Sequence, residues 1–154
     1  MACAVCFMSL PSCNNSNKSS DSGDKEIKIT KDLAKDSKTY VDLALTDYLR
    51  ADMYYESLCR VYGDIDRKSD LKDECAYLLA SKSSYKVTYD PLKDASACIT
   101  YRIWDFHEVA EMILRDIIWK YQDKEKDDEL YRVITLLENH LEGSWLDKML
   151  NKYL

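Results

Sequence analysis

Apolar positions in the 154-residue chain recur at helical rather than strand spacing from about residue 36 onward. Val41, Leu45, Tyr48 and Leu49 share one face of a helix predicted over residues 36–62, and Gly63 follows where a left-handed C-terminal cap is wanted. Ser69 is the predicted N-cap of a second helix in which Leu71, Cys75, Leu78 and Leu79 recur at i, i+4, i+7 and i+8. The stretch SSYKVTYD (residues 83–90) has strand character in Tyr85, Val87 and Tyr89 and reads as an extended connection. Asp90 then caps, and Pro91 opens, the strongest helical segment of the chain. Leu92, Ala95, Ile99, Ile103, Phe106, Ala110, Ile113 and Ile117 hold one face of it as far as Tyr121, a length of about 45 Å at 1.5 Å per residue. Cys98, Trp104, Met112, Leu114, Ile118 and Trp119 widen the apolar surface beyond one stripe, as expected of a central helix touched from several sides.

The charged turn DKEKDDE separates this helix from a fourth that carries Leu130, Val133, Ile134, Leu137 and Leu141. Gly143 is expected to end that helix and Ser144 to cap a short fifth one with Trp145, Leu146, Met149 and Leu150 on its apolar side. With three Gly and two Pro in the whole chain, none of them inside a predicted element, tight hairpins are disfavoured. The expected fold is an all-α bundle of four to five helices around a long central helix. No internal repeat is found at a solenoid period, and the tetratricopeptide signature is not in register anywhere.

The N-terminus has a different pattern. Residues 1–13, MACAVCFMSLPSC, carry no charge and are mostly apolar, and they give way at once to the polar run NNSNKSSDSGDKE. Residues 2–10 have the length and character of a signal-peptide core. Leu10, Ser12 and Cys13 match the aliphatic, small and modified positions of bacterial lipoprotein signals, which this segment resembles; Pro11 departs from the pattern in the middle position. The resemblance implies that Cys13 carries lipid and that the chain is anchored to a membrane of the bacterial cell envelope. No Lys or Arg precedes Lys18, so an upstream start with a basic n-region is expected. Three regions follow: a signal peptide at 1–13, a polar disordered tether at 14–35 with a brief extended contact at Ile27 and Ile29, and a helical domain at 36–154.

Composition narrows the partners. All of the net charge of −6 lies beyond Cys13, which argues against nucleic acid or a bare anionic membrane surface as partner. Cys59, Cys75 and Cys98 sit on apolar helical faces and read as small buried hydrophobes, with one disulfide among them as the alternative in an oxidising compartment. Cys3 and Cys6 have CxxC spacing but lack the second pair that a structural zinc site wants.

Candidate chemistry is sparse. His107, Glu108 and Glu111 form HExxE, and His107 and Glu111, four apart, could share one metal ion on a helix face. His140 lies two residues from Glu138 and does not repeat the pattern. With two His, no GxSxG and no Gly-rich phosphate loop, nothing marks a nucleophile or a nucleotide site, and no cofactor is expected. The 12 tyrosines, among them Tyr54, Tyr55, Tyr62, Tyr77 and Tyr101, suit half-buried helix faces or a groove for a peptide or glycan. A central apolar helix that ends near a Trp, as residues 99–104 do, in an acidic, Tyr-rich, helical chain also resembles the Bcl-2-like immunomodulators of poxviruses, though no NWG segment is present. That resemblance implies a cytosolic protein without lipid. The function expected first is a lipid-anchored helical domain that binds a protein or glycan partner without catalysis; a metal-dependent bundle enzyme and the Bcl-2-like reading are the alternatives.

Overall fold

A computed structural model describes residues 26–154; the expected signal peptide, Cys13 and the first part of the tether lie outside the described residues. The described residues form seven α-helices and no strand: α1 Leu33–Ala44, α2 Tyr48–Tyr62, α3 Ile65–Ser81, α4 Pro91–Ile103, α5 His107–Asp123, α6 Asp127–His140 and α7 Gly143–Tyr153. The all-α bundle expected from periodicity is the fold observed. Among these residues no helix is long and apolar enough to cross a membrane.

The element boundaries differ from expectation in instructive ways. The 45 Å central helix is two helices, because the chain turns at Trp104, Asp105 and Phe106. Asp105 takes a left-handed conformation (φ 67°). The turn is closed by N–H donation from Phe106 to the Tyr101 carbonyl (2.8 Å) and from Asp105 to the Arg102 carbonyl (3.1 Å), the two bonds of a Schellman ending. The apolar spacing runs through the break because both helices bury their faces in one core, where Phe106 meets Tyr101 edge-on. Glu125 (φ 56°) ends α5 in the same manner, with Lys126 N–H on the Tyr121 carbonyl.

The first expected helix is likewise two, and here the break is held from outside. Ser96 of α4 accepts from the Tyr48 N–H (2.9 Å), and the Thr100 hydroxyl donates to the Ala44 carbonyl (2.9 Å). Asp64, not Ser69, caps α3, and α7 begins at Gly143 after Glu142 instead of at Ser144. Gly63 does cap α2 with φ 60°, and Asp90 with Pro91 does start α4. The extended contact at Ile27 and Ile29 packs against the core, and Leu33 opens α1 three residues before the expected domain edge.

Six of the seven helices form two units of the same build. Helices α4, α5 and α6 start 58, 59 and 62 residues after α1, α2 and α3. At those offsets buried positions coincide: Val41 with Ile99, Ala51 with Ala110, Leu58 with Ile117, Tyr62 with Tyr121, Leu71 with Val133 and Cys75 with Leu137. Within each unit the first helix packs on the second and third. Helix α4 also packs on α2, and α7 packs on α5 in the corresponding way. A repeat this long lies outside the solenoid periods considered from the sequence, and side-chain identity is kept at few core positions. Helix α4 is central, buried continuously from Asp94 to Tyr101. Its Tyr101 hydroxyl donates to the Leu79 carbonyl at the end of α3 (2.7 Å), so α4 satisfies helix ends of all three elements of the first unit.

A non-glycine residue in the left-handed region is disfavoured by about 1–2 kcal/mol, and β-branching makes it worse. Glu125→Gly is therefore expected to leave stability unchanged or raised in urea unfolding, and Glu125→Val to lower it by about 1 kcal/mol.

Candidate functional site

Three places concentrate polar or apolar side chains beyond what helix packing needs: two buried carboxyl groups, the cluster at the start of α5, and a groove beside α6.

The buried carboxyl groups belong to Asp36 and Asp94, 1% and 0% exposed and 58 residues apart. Asp36 Oδ1 accepts from the backbone N–H (2.9 Å) and hydroxyl (2.8 Å) of Thr30, and its Oδ2 from the Lys31 N–H (2.9 Å) and the Tyr62 hydroxyl (2.8 Å). Asp94 has the same set from Thr88 N–H (2.9 Å), Thr88 hydroxyl (2.9 Å), Tyr89 N–H (3.0 Å) and Tyr121 hydroxyl (2.6 Å). A fifth donor, the Tyr85 hydroxyl, reaches Asp94 at 2.6 Å. Lys31 and Tyr89 each sit at positive φ (68° and 67°), which turns their N–H groups inward onto the carboxyl. One turn earlier Asp32 and Asp90 cap their helices, and the threonine hydroxyls accept from the N–H of these caps.

The string is Thr-x-Asp-x-x-Lys-Asp, TKDLAKD and TYDPLKD. It was legible as a repeated heptapeptide, but a search at solenoid periods passes over a 58-residue spacing. Chemically each carboxyl is an anchor. Its lone pairs are taken by the chain itself, so neither is placed to accept a substrate proton. Each clasp ties the extended segment ahead of a unit to the far end of that unit's second helix. Burial works to raise the Asp36 carboxyl, but the bonds from Thr30, Tyr62 and Lys31 together hold it below its ordinary value of 3.8. Burial first, and then the neighbouring carboxyl, push the Tyr62, Tyr85 and Tyr121 hydroxyls upward, which keeps them as donors.

At the start of α5 two of the HExxE residues, His107 and Glu111, are engaged by other side chains. Glu111 Oε2 accepts from Lys152 Nζ (2.7 Å) and the Tyr153 hydroxyl (2.6 Å), and the Lys152 bond leads the causes that hold its carboxyl below the ordinary 4.5. Glu111 thus fastens α7 to α5. His107 is exposed, with Nδ1 against the Arg102 guanidinium and Nε2 3.5 Å from Asp105. Arg102 in turn lies over the Trp145 ring at 4.6 Å and reaches Glu142 at 3.4 Å. Glu108 stands in the exposed first turn of α5. A guanidinium beside the imidazole nitrogen opposes a cation there, and among the described residues no group of three or more His, Cys, Asp or Glu is placed to hold a metal ion.

Cys59, Cys75 and Cys98 are free thiols. Burial pushes Cys75 and Cys98 up to about 12, far from thiolate reactivity. Of the tyrosines singled out, Tyr54, Tyr62 and Tyr101 are buried and Tyr55 half-buried, so they serve the core; Tyr77 is exposed.

The groove, of about 580 Å³, runs between the first turn of α4 and the outer face of α6 and is lined by Asp90, Pro91, Leu92, Tyr131, Arg132, Thr135 and Leu136. Leu92 and Leu136 also line a small adjoining slot of about 20 Å³ with Tyr48, Leu49 and His140. The two hollows share an apolar line from Leu49 through Leu92 and Leu136 to Tyr131. Leu92 is 41% and Tyr131 71% exposed.

No family model, curated protein or solved structure matches the chain. The first unit is therefore the comparison at hand for the second. Tyr131, Arg132, Thr135 and Leu136 correspond to Ser69, Asp70, Asp73 and Glu74 of α3, and Leu92 to Ala34 of α1. The scaffold forms with polar side chains at these α3 positions, so the apolar groove is an addition of the second unit and not a requirement of the fold. Sequence reasoning missed it because Tyr131 and Leu136 are intelligible as surface exceptions only once the units are superposed in register.

Removing a clasp leaves several buried donors unpaired at once. Asp94→Ala, with five donors, is expected to lose more than about 3 kcal/mol in urea unfolding, and more than Asp36→Ala. The Asp36 carboxyl is depressed on folding, so its stabilisation is complete above the unfolded value of 3.8 and is lost as pH falls through the folded value. Asp36→Asn should therefore be less stable than the native chain at pH 7, with the gap narrowing as unfolding is measured towards pH 3.

Proposed function

We propose that the helical domain is a docking module that binds a protein partner through the groove beside α6, and that it is held at a membrane of the bacterial envelope by lipid on Cys13. The observation that carries the docking reading is the contrast between the units: one scaffold, built twice, with an apolar groove on the second copy where the first has Ser69, Asp70, Asp73 and Glu74. In the groove Leu92 and Tyr131 stand exposed beside the polar Asp90, Arg132 and Thr135. The polar groups best placed for chemistry, Asp36, Asp94 and Glu111, are engaged in holding elements together. The anchor reading rests on the sequence around Leu10, Ser12 and Cys13 and on the uncharged leader. It gives the domain a fixed station at a surface, and a tethered domain meets its partners at raised effective concentration.

Two measurements test these readings. If the groove serves docking and not folding, Leu92→Ser and Tyr131→Ser together change unfolding free energy by less than about 1 kcal/mol, against about 2–5 kcal/mol for Leu137→Ala in the core. A double variant as damaging as the core substitution would show that the groove belongs to the fold and would sink the docking reading. For the anchor, intact-mass analysis of protein from a diderm host should show acyl mass that Cys13→Ala abolishes together with membrane association; an unmodified native chain in the soluble fraction overturns it.

A further inference from the structure

The groove can be assigned an occupant from what surrounds it, an assignment that rests on the docking reading above. Its walls are helical on both sides. Their backbone groups are used within the helices, and among the described residues no strand offers a sheet edge. An extended peptide would find no ladder of backbone partners there, whereas an amphipathic helix needs only a line of apolar side chains. Leu49, Leu92, Leu136 and Tyr131 supply that line.

Charge sets the flanks of the partner. Asp90 lies in the groove, and Asp128 sits one turn before Arg132 on α6. At the other end Asp52 follows Leu49 by three residues on α2 and faces Glu56 and His140. Burial and then Glu56 push the Asp52 carboxyl up, while His140 works to lower it. Arg132 is the one cation in the lining, and the chain as a whole carries −6. Acidic groups thus stand at both ends of an apolar line along which the Arg132 guanidinium and the His140 imidazole lie.

We infer that the groove takes a basic amphipathic helix of a protein partner, its apolar stripe on Leu49, Leu92, Leu136 and Tyr131 and its Lys or Arg residues towards Asp52, Asp90 and Asp128. Such a helix also suits a chain of this net charge, since long-range attraction raises the association rate.

The test uses the described domain with its native tail and three designed peptides: an amphipathic helix of Leu and Lys, the same residues scrambled, and a Leu and Glu counterpart. Binding is followed by calorimetry and by backbone amide shifts. The Leu–Lys helix should bind, with shifts centred on α6 and the first turn of α4. Leu92→Ser with Tyr131→Ser should weaken it at least about tenfold while thermal unfolding is unchanged. Equal binding of the scrambled peptide, or shifts spread over the acidic surface, would reduce the effect to net charge and overturn the inference. Binding of the Leu–Glu helix in the groove as tightly as Leu–Lys overturns the partner's chemistry while the docking reading stands. Concentration-dependent shifts at Leu92 and Tyr131 without peptide would make a second copy of this chain the occupant and overturn the inference in the same way. If no peptide perturbs the groove, the inference fails, and the stability of the double variant decides the docking reading separately.

Discussion

The carboxyl group of Asp94 is the constraint on which the arrangement depends. It sits in the first turn of α4, where continuous burial from Asp94 to Tyr101 begins, and a carboxyl group there is tolerated only if its hydrogen bonds are made. The chain makes them by folding the segment that holds Tyr85, Thr88 and Tyr89 back over the helix start and by bringing Tyr121 from the far end of α5. One side chain thus joins the entry of the chain into α4 to the far end of α5. With α4 fixed, Ser96, Thr100 and Tyr101 meet the open ends of α2, α1 and α3, and the first unit is docked. Asp36 repeats the device in that unit with four donors in place of five.

What could be read from the chain was the local chemistry that needs no partner. Asp90 before Pro91 starts a helix by capping and by a preset φ; Gly63 ends one by adopting φ 60°; the spacing of Leu71, Cys75 and Leu79 gives the buried face of α3. The breaks at 45–47 and 104–106 were hidden because neither contains a glycine or a proline. Asp105, Glu125, Lys31 and Tyr89 take the left-handed positions instead. Each is held there by bonds formed only in the folded state: Schellman bonds at Asp105 and Glu125, and bonds to the buried carboxyl at Lys31 and Tyr89. An apolar period that passes through a turn unchanged carries no mark of the turn. The groove was illegible for another reason, since its residues are exceptions only against the corresponding residues of the other unit.

The two units show how loosely core composition is tied to backbone. Where the second unit has Ala95, Cys98, Ile113 and Leu137, the first has Ser37, Tyr40, Tyr54 and Cys75. In the first unit the Trp104 indole N–H donates to the Tyr40 hydroxyl at 3.0 Å, while the Ser37 and Tyr54 hydroxyls are buried without a hydrogen-bond partner among the described residues. At these four positions the second unit gains from simple burial of small or aliphatic side chains, while the first adds ring contacts such as Tyr40 with Tyr55 at 4.9 Å. Common to both are the clasp, the capping aspartate and the tyrosine that closes it. These directional bonds specify the backbone; volume and apolarity fill it.

The same comparison shows that the two clasps are covered differently. In the first, the ring of Tyr62 is covered by Arg67 of α3, 4.6 Å above it, whose guanidinium donates to the Lys31 carbonyl at 3.4 Å. A side chain of the third helix is thereby drawn across to the start of the first. In the second unit Tyr89 itself, at the position of Lys31, covers Tyr121 at 5.4 Å. The clasp is closed from within the extended segment, and α6 is released from that task. Its outer face carries Tyr131 and Leu136 beside the exposed Leu92, where the first unit has the polar Ser69, Asp70, Asp73 and Glu74.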